Sequence, residues 1–432
     1  MENRLFSKRR PIFRRVYMID PLLQAPLFGS ILLGIGGALL GAILLLQKRV
    51  LISETLSHAI YPGALTGLLV FALLGMEEST EWAAFAGAMF SGWLGLLALQ
   101  TVERKLKIKS DAALCLVLSL FFGAGVLLVS GIQALFPIAA SHAQILLFGQ
   151  AATLTNASLP IYGAALFCLL FFLSWQCKSL QIFLFDPNFA SSIGVNTKAL
   201  ERAIFLFLLV FVVLSIRSVG VVMVAGIVIA PAIAARQWTD RLSYYFSLSG
   251  LFGAASGAIG SFLSVVWELP TGPSIVLSAS AFTFASLLAA PKRGLIFRRV
   301  RQILFRFHCL EENLLKGLWK RGSASKQQLR RFYGLMCGPM LLLLRSQGWI
   351  FSSRGEYRLT EEGRRRASAI VRLHRLWELY LTEEFGWGAE KVHASAEEME
   401  HILTPELEER LTRLLSNPTQ DPHDQPIPGR LK

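Results

Sequence analysis

The chain has 432 residues, 53% of them hydrophobic, with a formal net charge of +14, long enough for two or three domains. Its apolar residues are segregated into Leu27–Ala290, and sequence from Pro291 onward is polar, so one uniform soluble domain is excluded. Cys115, Cys168, Cys177, Cys309 and Cys337 are scattered without a C-x-x-C pair and support neither a disulfide framework nor a cysteine zinc site.

Residues 1–26 form a basic arm, with six Lys/Arg in the first 15 residues and no short signal peptide ending in small residues. Apolar runs follow near 27–46, 55–76, 82–102, 112–135, 159–176, 203–216, 218–235, 244–266 and 272–290. They predict an all-α polytopic membrane domain of about nine transmembrane helices over 27–290. The 203–216 run is short and stops at Arg217, which predicts a broken or protein-buried element. The basic loops "RKLKIK" (104–109) and "PKRGLIFRRVR" (291–301) predict a cytoplasmic side, and the acidic "MEESTE" (76–81) the opposite side. Nine spans then put the C-terminal region in the cytoplasm. They also put the basic N-terminal arm outside, against the positive-inside tendency, unless the count is off by one span or the arm lies along the membrane surface.

Polar residues inside apolar runs are the candidate path. "SETLSHAIYPG" (53–63) sets Glu54 and His58 four residues apart, on one helical face, and Asp111 opens the fourth span. Charges near the bilayer centre are costly and belong in a bundle interior or cavity. The plainer reading puts Glu54 and Asp111 at the interface and makes His58 a packing residue. Pro62–Gly63 is expected to interrupt the second span, and "VGVVMVAGIVIAPAIAAR" (219–236) and "LPTGPSIV" (269–276) carry further glycines and prolines. Such positions suit a broken helix beside a water-filled path, or ordinary close packing through small residues. In "FDPNFASSIGV" (185–195), Asp186, Ala190 and Gly194 recur at four-residue spacing, as in a short helix lying across the membrane face. No G-x-x-x-x-G-K-[ST] segment exists, so the chain has no P-loop for a nucleotide.

"LSHAIYPGAL" (56–65), "SDAALC" (110–115), "LLFG" (146–149) and the three segments from 185 to 276 occur in the order seen in permeases of manganese/zinc/iron-type ABC importers, which 20–290 resembles. The resemblance implies a dimer of permeases, homomeric or heteromeric, with cytoplasmic ATPase subunits and an extracytoplasmic metal-binding protein. It also implies that 185–195 contacts the ATPase and that His58, then Glu54 and Asp111, line the translocation path.

Residues 291–308 read as a basic, poorly structured linker. Helices are expected over 311–321 and 325–334, the second capped by Ser325, and a third opens at Pro339. A hairpin over 348–360 with Ser352–Gly355 at its turn completes an α+β winged helix-turn-helix over 309–363. Lys326, Arg330 and Arg331 could hold DNA phosphates, but "GPMLLLLRSQ" (338–347) offers only Arg345, Ser346 and Gln347 for base readout. Thr360 caps a long helix that opens a helical domain over 364–432. There His374 and Glu378 share one helical face, and His393, Glu397, Glu400 and His401 another. Imidazole with carboxylate and no thiolate suits divalent Mn, Fe or Zn, against the plainer reading of solvated charged faces.

"LTEEGRRRASAIVRLHRLWELYL", "VHASAEEMEH" and "DPHDQPIPG" resemble metal-dependent repressors of the diphtheria-toxin-repressor type over about 310–430. The resemblance implies one metal site at His374, Glu378 and His393 and another at Glu397, Glu400 and His401, with a ligand from the first helix expected at Asn313. Glu397 follows the manganese-type pattern and His393 the iron-type. The sequence therefore reads as a metal importer permease with a metal-sensing tail, or alternatively as a metal-dependent repressor that binds operator DNA while tethered to the permease or after cleavage from it.

Overall fold

The computed structural model describes residues 21–73, 80–135, 146–149, 154–388 and 404–429, together with Val392, Ala396, Met399 and His401. It divides into two compact units, Met1–Phe297 and Arg298–Lys432.

In the first unit each apolar run becomes a helix. They are α1 (Pro21–Leu46), α2 (Leu51–Leu73), α3 (Thr80–Lys105), α4 (Ser110–Leu135) and α5 (Leu159–Trp175). Two short helices, α6 (Cys177–Phe185) and α7 (Pro187–Ser192), come next. They lead into α8 (Thr197–Val219), α9 (Val224–Arg236), α10 (Leu242–Trp267) and α11 (Thr271–Ala289). Seven helices among the described residues are long and apolar enough to cross a membrane. The other two apolar runs give α2, which carries Glu54 and His58, and α9, only 13 residues long.

Of the two readings of the 203–216 run the protein-buried one holds: it is unbroken, inside the continuous 23-residue α8, and mostly buried. Arg217 sits in the last turn of α8, where a cation meets the negative end of the helix dipole. The break follows at Gly220, whose φ of +87° only glycine adopts without strain, and a 3₁₀ turn (Val221–Met223) leads on to α9. Pro62 does not interrupt α2, which runs through it, as α9 runs through Pro231. Membrane helices tolerate such prolines where neighbouring protein re-satisfies the freed backbone groups.

Small residues let the backbones touch. A Cβ on Gly63 of α2 would lie 2.2 Å from the Gly87 carbonyl oxygen of α3, and one on Gly34 of α1 would lie 2.3 Å from that of Gly253 on α10. Helices α1 and α8 are the most enclosed of the long apolar helices, with Leu33, Leu40 and Ile43 of the first and Ile204, Leu208, Phe211 and Val212 of the second all buried. One end of the bundle is tied by Arg49, between α1 and α2. It pairs with Glu103 of α3 at 2.6 Å and Glu201 of α8 at 2.9 Å, and Ser110 at the head of α4 donates to Glu103 at 2.6 Å.

The second unit contains most of α12 (Leu295–Arg321). The segment expected to be poorly structured is therefore helical from Leu295 onward. Phe307, Leu310, Leu314 and Leu318 recur at helical spacing and pack into one core, a stripe obscured in sequence by the surrounding arginines. Next come β1 (Ala324–Ser325), α13 (Lys326–Tyr333), α14 (Cys337–Ser346), β2 (Ile350–Ser353) and β3 (Glu356–Leu359). The last two helices are α15 (Glu361–Phe385) and α16 (Pro405–Leu414). The antiparallel sheet has the order β1-β3-β2. Arg354 and Gly355, both at positive φ, make its two-residue turn. Ser325 forms the expected cap and, with Gln328, a reciprocal capping box. Pro339 occupies the third position of α14 rather than the first, still within the turn whose N–H groups have no helical partner.

The tail's end is fastened to α15 by two arginines. Arg372 donates to Glu408 at 3.0 Å, Thr412 at 3.2 Å and the Pro428 carbonyl at 2.7 Å. Arg375 meets Asp421 at 3.3 Å and the Pro426 carbonyl, and lies over the Trp319 ring. This gives "DPHDQPIPG" a structural use, with Asp421 also accepting from the His423 and Gln425 N–H groups.

Candidate functional site

In the membrane unit, α2 carries Glu54 and His58, both half-buried, on one face of an otherwise apolar helix. The His58 ring stands edge-on to Phe122 of α4, with centroids 5.0 Å apart. Its Nδ1 is buried with no hydrogen-bond partner among the described residues, and so is the Tyr61 hydroxyl one turn further along. These two buried polar atoms lie three residues apart on α2, on one helical face. Asp111 stands apart, exposed in the first turn of α4.

Residues 185–195 form a compact knob. The Asp186 carboxylate accepts from the Asn188 and Phe189 N–H groups at 2.9 and 3.0 Å and caps α7. Ala190 is fully buried beneath it, and Gly194, at φ +87°, ends it. The four-residue spacing thus encodes a cap, an anchor and a stop. Facing outward are Phe185, Phe189 and Ile193, 81%, 55% and 50% exposed. Sequence reading passed over these three because apolar residues are expected throughout such a chain.

A second convergence was also missed. A Cβ on Gly149 would lie 2.3 Å from the Val219 carbonyl carbon, one on Gly220 2.4 Å from the Leu147 oxygen, and one on Gly272 2.2 Å from the Val219 oxygen. "LLFG", "VGVVM" and "LPTGPS" therefore meet backbone to backbone at one junction. The glycine in each was the available signal.

In the tail, His374 and Glu378 come together as expected, with Nε2 and Oε1 3.1 Å apart and both side chains buried. The buried Lys316 of α12 joins them, its Nζ 3.1 Å from His374 Nδ1. His401 Nδ1 lies 2.5 Å from Oε2 of Glu312, whose Oε1 is 3.4 Å from His308 Nε2. Helix α12 thus reaches His401 through Glu312, the neighbour of the expected Asn313. His393, Glu397 and Glu400 lie outside the described residues, among which no group of three His, Cys, Asp or Glu forms a metal-ligand set. The nitrogen and oxygen donors of His401 and Glu312 fit a divalent metal, whereas the Lys316 ammonium beside His374 does not.

Lys326, Arg330 and Arg331 are exposed on α13. The four leucines of α14 divide, Leu341 and Leu344 entering the core while Leu342 and Leu343 face out.

Comparison with known proteins bears on both units. Residues 19–290 match the model of the ABC 3 transport family. The chain belongs to that family. Its ABC 3 segment ends with α11, and a second match, to the iron dependent repressor metal binding and dimerisation domain, covers 360–429, from the cap of α15. A probable metal transport system membrane protein of Chlamydia trachomatis is 36% identical over 424 residues, spanning 91% of this chain and 93% of that protein. The manganese transport system membrane protein MntC of Bacillus subtilis is 30% identical over 379 residues, spanning 84% and 85%. Among solved structures, PsaBC from Streptococcus pneumoniae in complex with Fab matches with a TM-score of 0.56 and 25% identity, over 65% of this chain and 96% of that one. This ABC 3 protein is thus a multi-pass membrane permease with a repressor-like C-terminal domain.

Proposed function

We propose that the chain is the permease subunit of an ATP-driven importer for a divalent transition metal (Mn, Fe or Zn), with a cytoplasmic tail that senses the same class of metal. The observation that carries the ATP-driven reading is α7. A capped, anchored helix presents Phe185, Phe189 and Ile193 to solvent in a chain with no P-loop of its own, as a permease served by separate ATPase subunits would. An extracytoplasmic metal-binding protein delivers the ion, a second permease completes the pore, and ATP is hydrolysed by the partner. The metal passes His58, whose buried Nδ1 and neighbouring Glu54 offer nitrogen and oxygen donors. On the receiving side, His401 with Glu312, joined by Glu397 and Glu400, holds the sensed metal. The metal supplies a cation between these ligands. The chain's own groups position it, with His401 nearly enclosed and Glu312 linking it to α12.

The test is metal uptake in cells carrying the chain and its ATPase. His58→Ala is expected to abolish uptake with normal membrane insertion, and deletion of the ATPase to do the same. Persistent uptake without the ATPase would sink the ATP-driven assignment, and wild-type uptake by His58→Ala would return His58 to a packing role.

The exposed Lys326, Arg330 and Arg331 on α13 favour a second reading, in which the tail also binds operator DNA through phosphates. It requires metal-dependent, sequence-selective binding of promoter DNA by the full chain at physiological salt. Equal affinity for promoter and scrambled DNA would end it.

A further inference from the structure

We infer that the first half of α12 lies on the membrane surface, with its apolar face among the lipids and its arginines on anionic phospholipid headgroups. The inference rests on α11 crossing the membrane and is independent of which ion the chain moves.

Helix α12 carries one apolar stripe along its whole length. Ile296, Val300, Ile303, Phe307, Leu314 and Leu318 recur at steps of three, four and seven and so share one face. The later part of the stripe is covered, because Phe307 packs against the tail's own core and Leu314 and Leu318 lie inside it. The earlier part is bare. Every residue from Leu295 to Arg306 is exposed, and Ile296, Val300, Ile303 and the adjoining Leu304 are 45–62% exposed.

Position and charge decide what covers it. Residues 290–294 alone separate α12 from α11, a helix long and apolar enough to cross a membrane, so α12 starts within about 20 Å of the end of α11. Arg293 is tied to Asp240 at 2.5 Å, and Asp240 lies just before α10, so this turn stays at the face where α10 begins. A helix that opens there with a bare apolar stripe opens at the boundary between headgroups and acyl chains. No Asp or Glu occurs between Glu268 and Glu311. Arg299 and Arg306, seven residues apart, flank one edge of the stripe, are exposed, and make no ion pair with a described residue. Their stems can lie along apolar surface while the guanidinium groups reach phosphate. A second copy of this face fits poorly, since it would set arginines against arginines with no carboxylate to separate them.

The experiment uses the full chain with its native cysteines replaced by serine and one cysteine introduced, as Ile303→Cys on the stripe or Gln302→Cys on the opposite side. Both positions are exposed, so neither label disturbs packing. Each carries a nitrobenzoxadiazole fluorophore, in nanodiscs of phosphatidylcholine with or without phosphatidylglycerol, doped with lipid bearing a nitroxide just below the headgroup. In the anionic discs the Ile303→Cys label is expected to be quenched by the nitroxide lipid and shielded from aqueous iodide, while the Gln302→Cys label stays open to iodide. Quenching should weaken in neutral discs and on adding Arg299→Gln and Arg306→Gln, each arginine contributing about fivefold to surface binding. The inference is overturned if the Ile303→Cys label in anionic discs remains open to iodide. It is equally overturned if that label is shielded from iodide yet not quenched by lipid, the mark of a protein partner such as a second copy. Equal quenching in neutral and anionic discs also overturns it, because the arginines would then recognise nothing.

Discussion

Phe189→Ala tests the proposed contact of α7 with an ATPase. With 55% of its surface open to water, Phe189 has about 110 Å² left to bury, worth about 2.7 kcal/mol at about 25 cal/mol per Å². Losing that contact weakens association by roughly 100-fold, since about 1.4 kcal/mol is a factor of ten. The helix itself should survive, because Asp186 caps it through backbone N–H groups and Ala190 anchors it. The assay is titration of the purified ATPase against the permease in nanodiscs, with permease-stimulated ATP hydrolysis as a second readout. An affinity within about threefold of wild type would remove Phe189 from any interface of this size, and α7 with it if Phe185→Ala and Ile193→Ala behaved alike.

Three further outcomes follow from the geometry. Arg49→Ala leaves the Glu103 and Glu201 carboxylates without their shared partner. Thermal unfolding in detergent should show a loss of about 2 kcal/mol, kept modest by partial exposure, and adding Glu103→Gln and Glu201→Gln should recover part of it. In the tail, a Cβ on Gly363 would sit 1.9 Å from the Trp349 carbonyl oxygen. Gly363→Ala should therefore destabilise that unit by about 2–3 kcal/mol, read as loss of hydrogen-exchange protection in β2, β3 and α15. Burial pushes the Cys337 thiol above its ordinary range, with Lys326 pulling partly back. With the other cysteines replaced by serine, alkylation of Cys337 should be slow at neutral pH and accelerate only above the usual thiol range. Because the folded state holds this proton more tightly, the associated stability is present at neutral pH and is lost as pH rises toward the raised value. A rate at neutral pH equal to that of a free thiol would contradict the burial.

What could be read from the sequence was set by local chemistry. The apolar runs and the caps at Ser325 and Thr360 depend on neighbours within a few residues and formed as expected, and the hairpin turn formed at Arg354–Gly355, narrower than the expected Ser352–Gly355 because Ser352 and Ser353 belong to β2. Arg217 misled because a lone charge ending an apolar run looks like a break, whereas here it completes the last turn of α8. The arginines of 298–306 hid the continuity of α12. The site residues divided in the same way. His374 and Glu378 are neighbours on one helix and were found by spacing. Lys316 lies 58 residues from His374 in sequence, and a lysine on a charged helix is indistinguishable from a solvated one until the fold closes over it. The Glu312–His401 contact spans 89 residues, beyond the reach of any local pattern. The Gly149, Gly220 and Gly272 junction needed three separate segments to be superposed before any reason for their glycines became visible.

The outward leucines of α14 have a consequence for how copies of the chain meet. With Phe332, Leu335 and Met336, Leu342 and Leu343 leave several large apolar side chains in water on one small helical unit. Free in solution, so small a patch would pair weakly and only at high concentration. The tail is covalently joined to a bilayer-embedded unit, so its copies are confined to a thin layer. Confinement raises their effective concentration without adding a contact, so exposed apolar side chains that would count for little on a soluble protein count for more on one that diffuses in two dimensions.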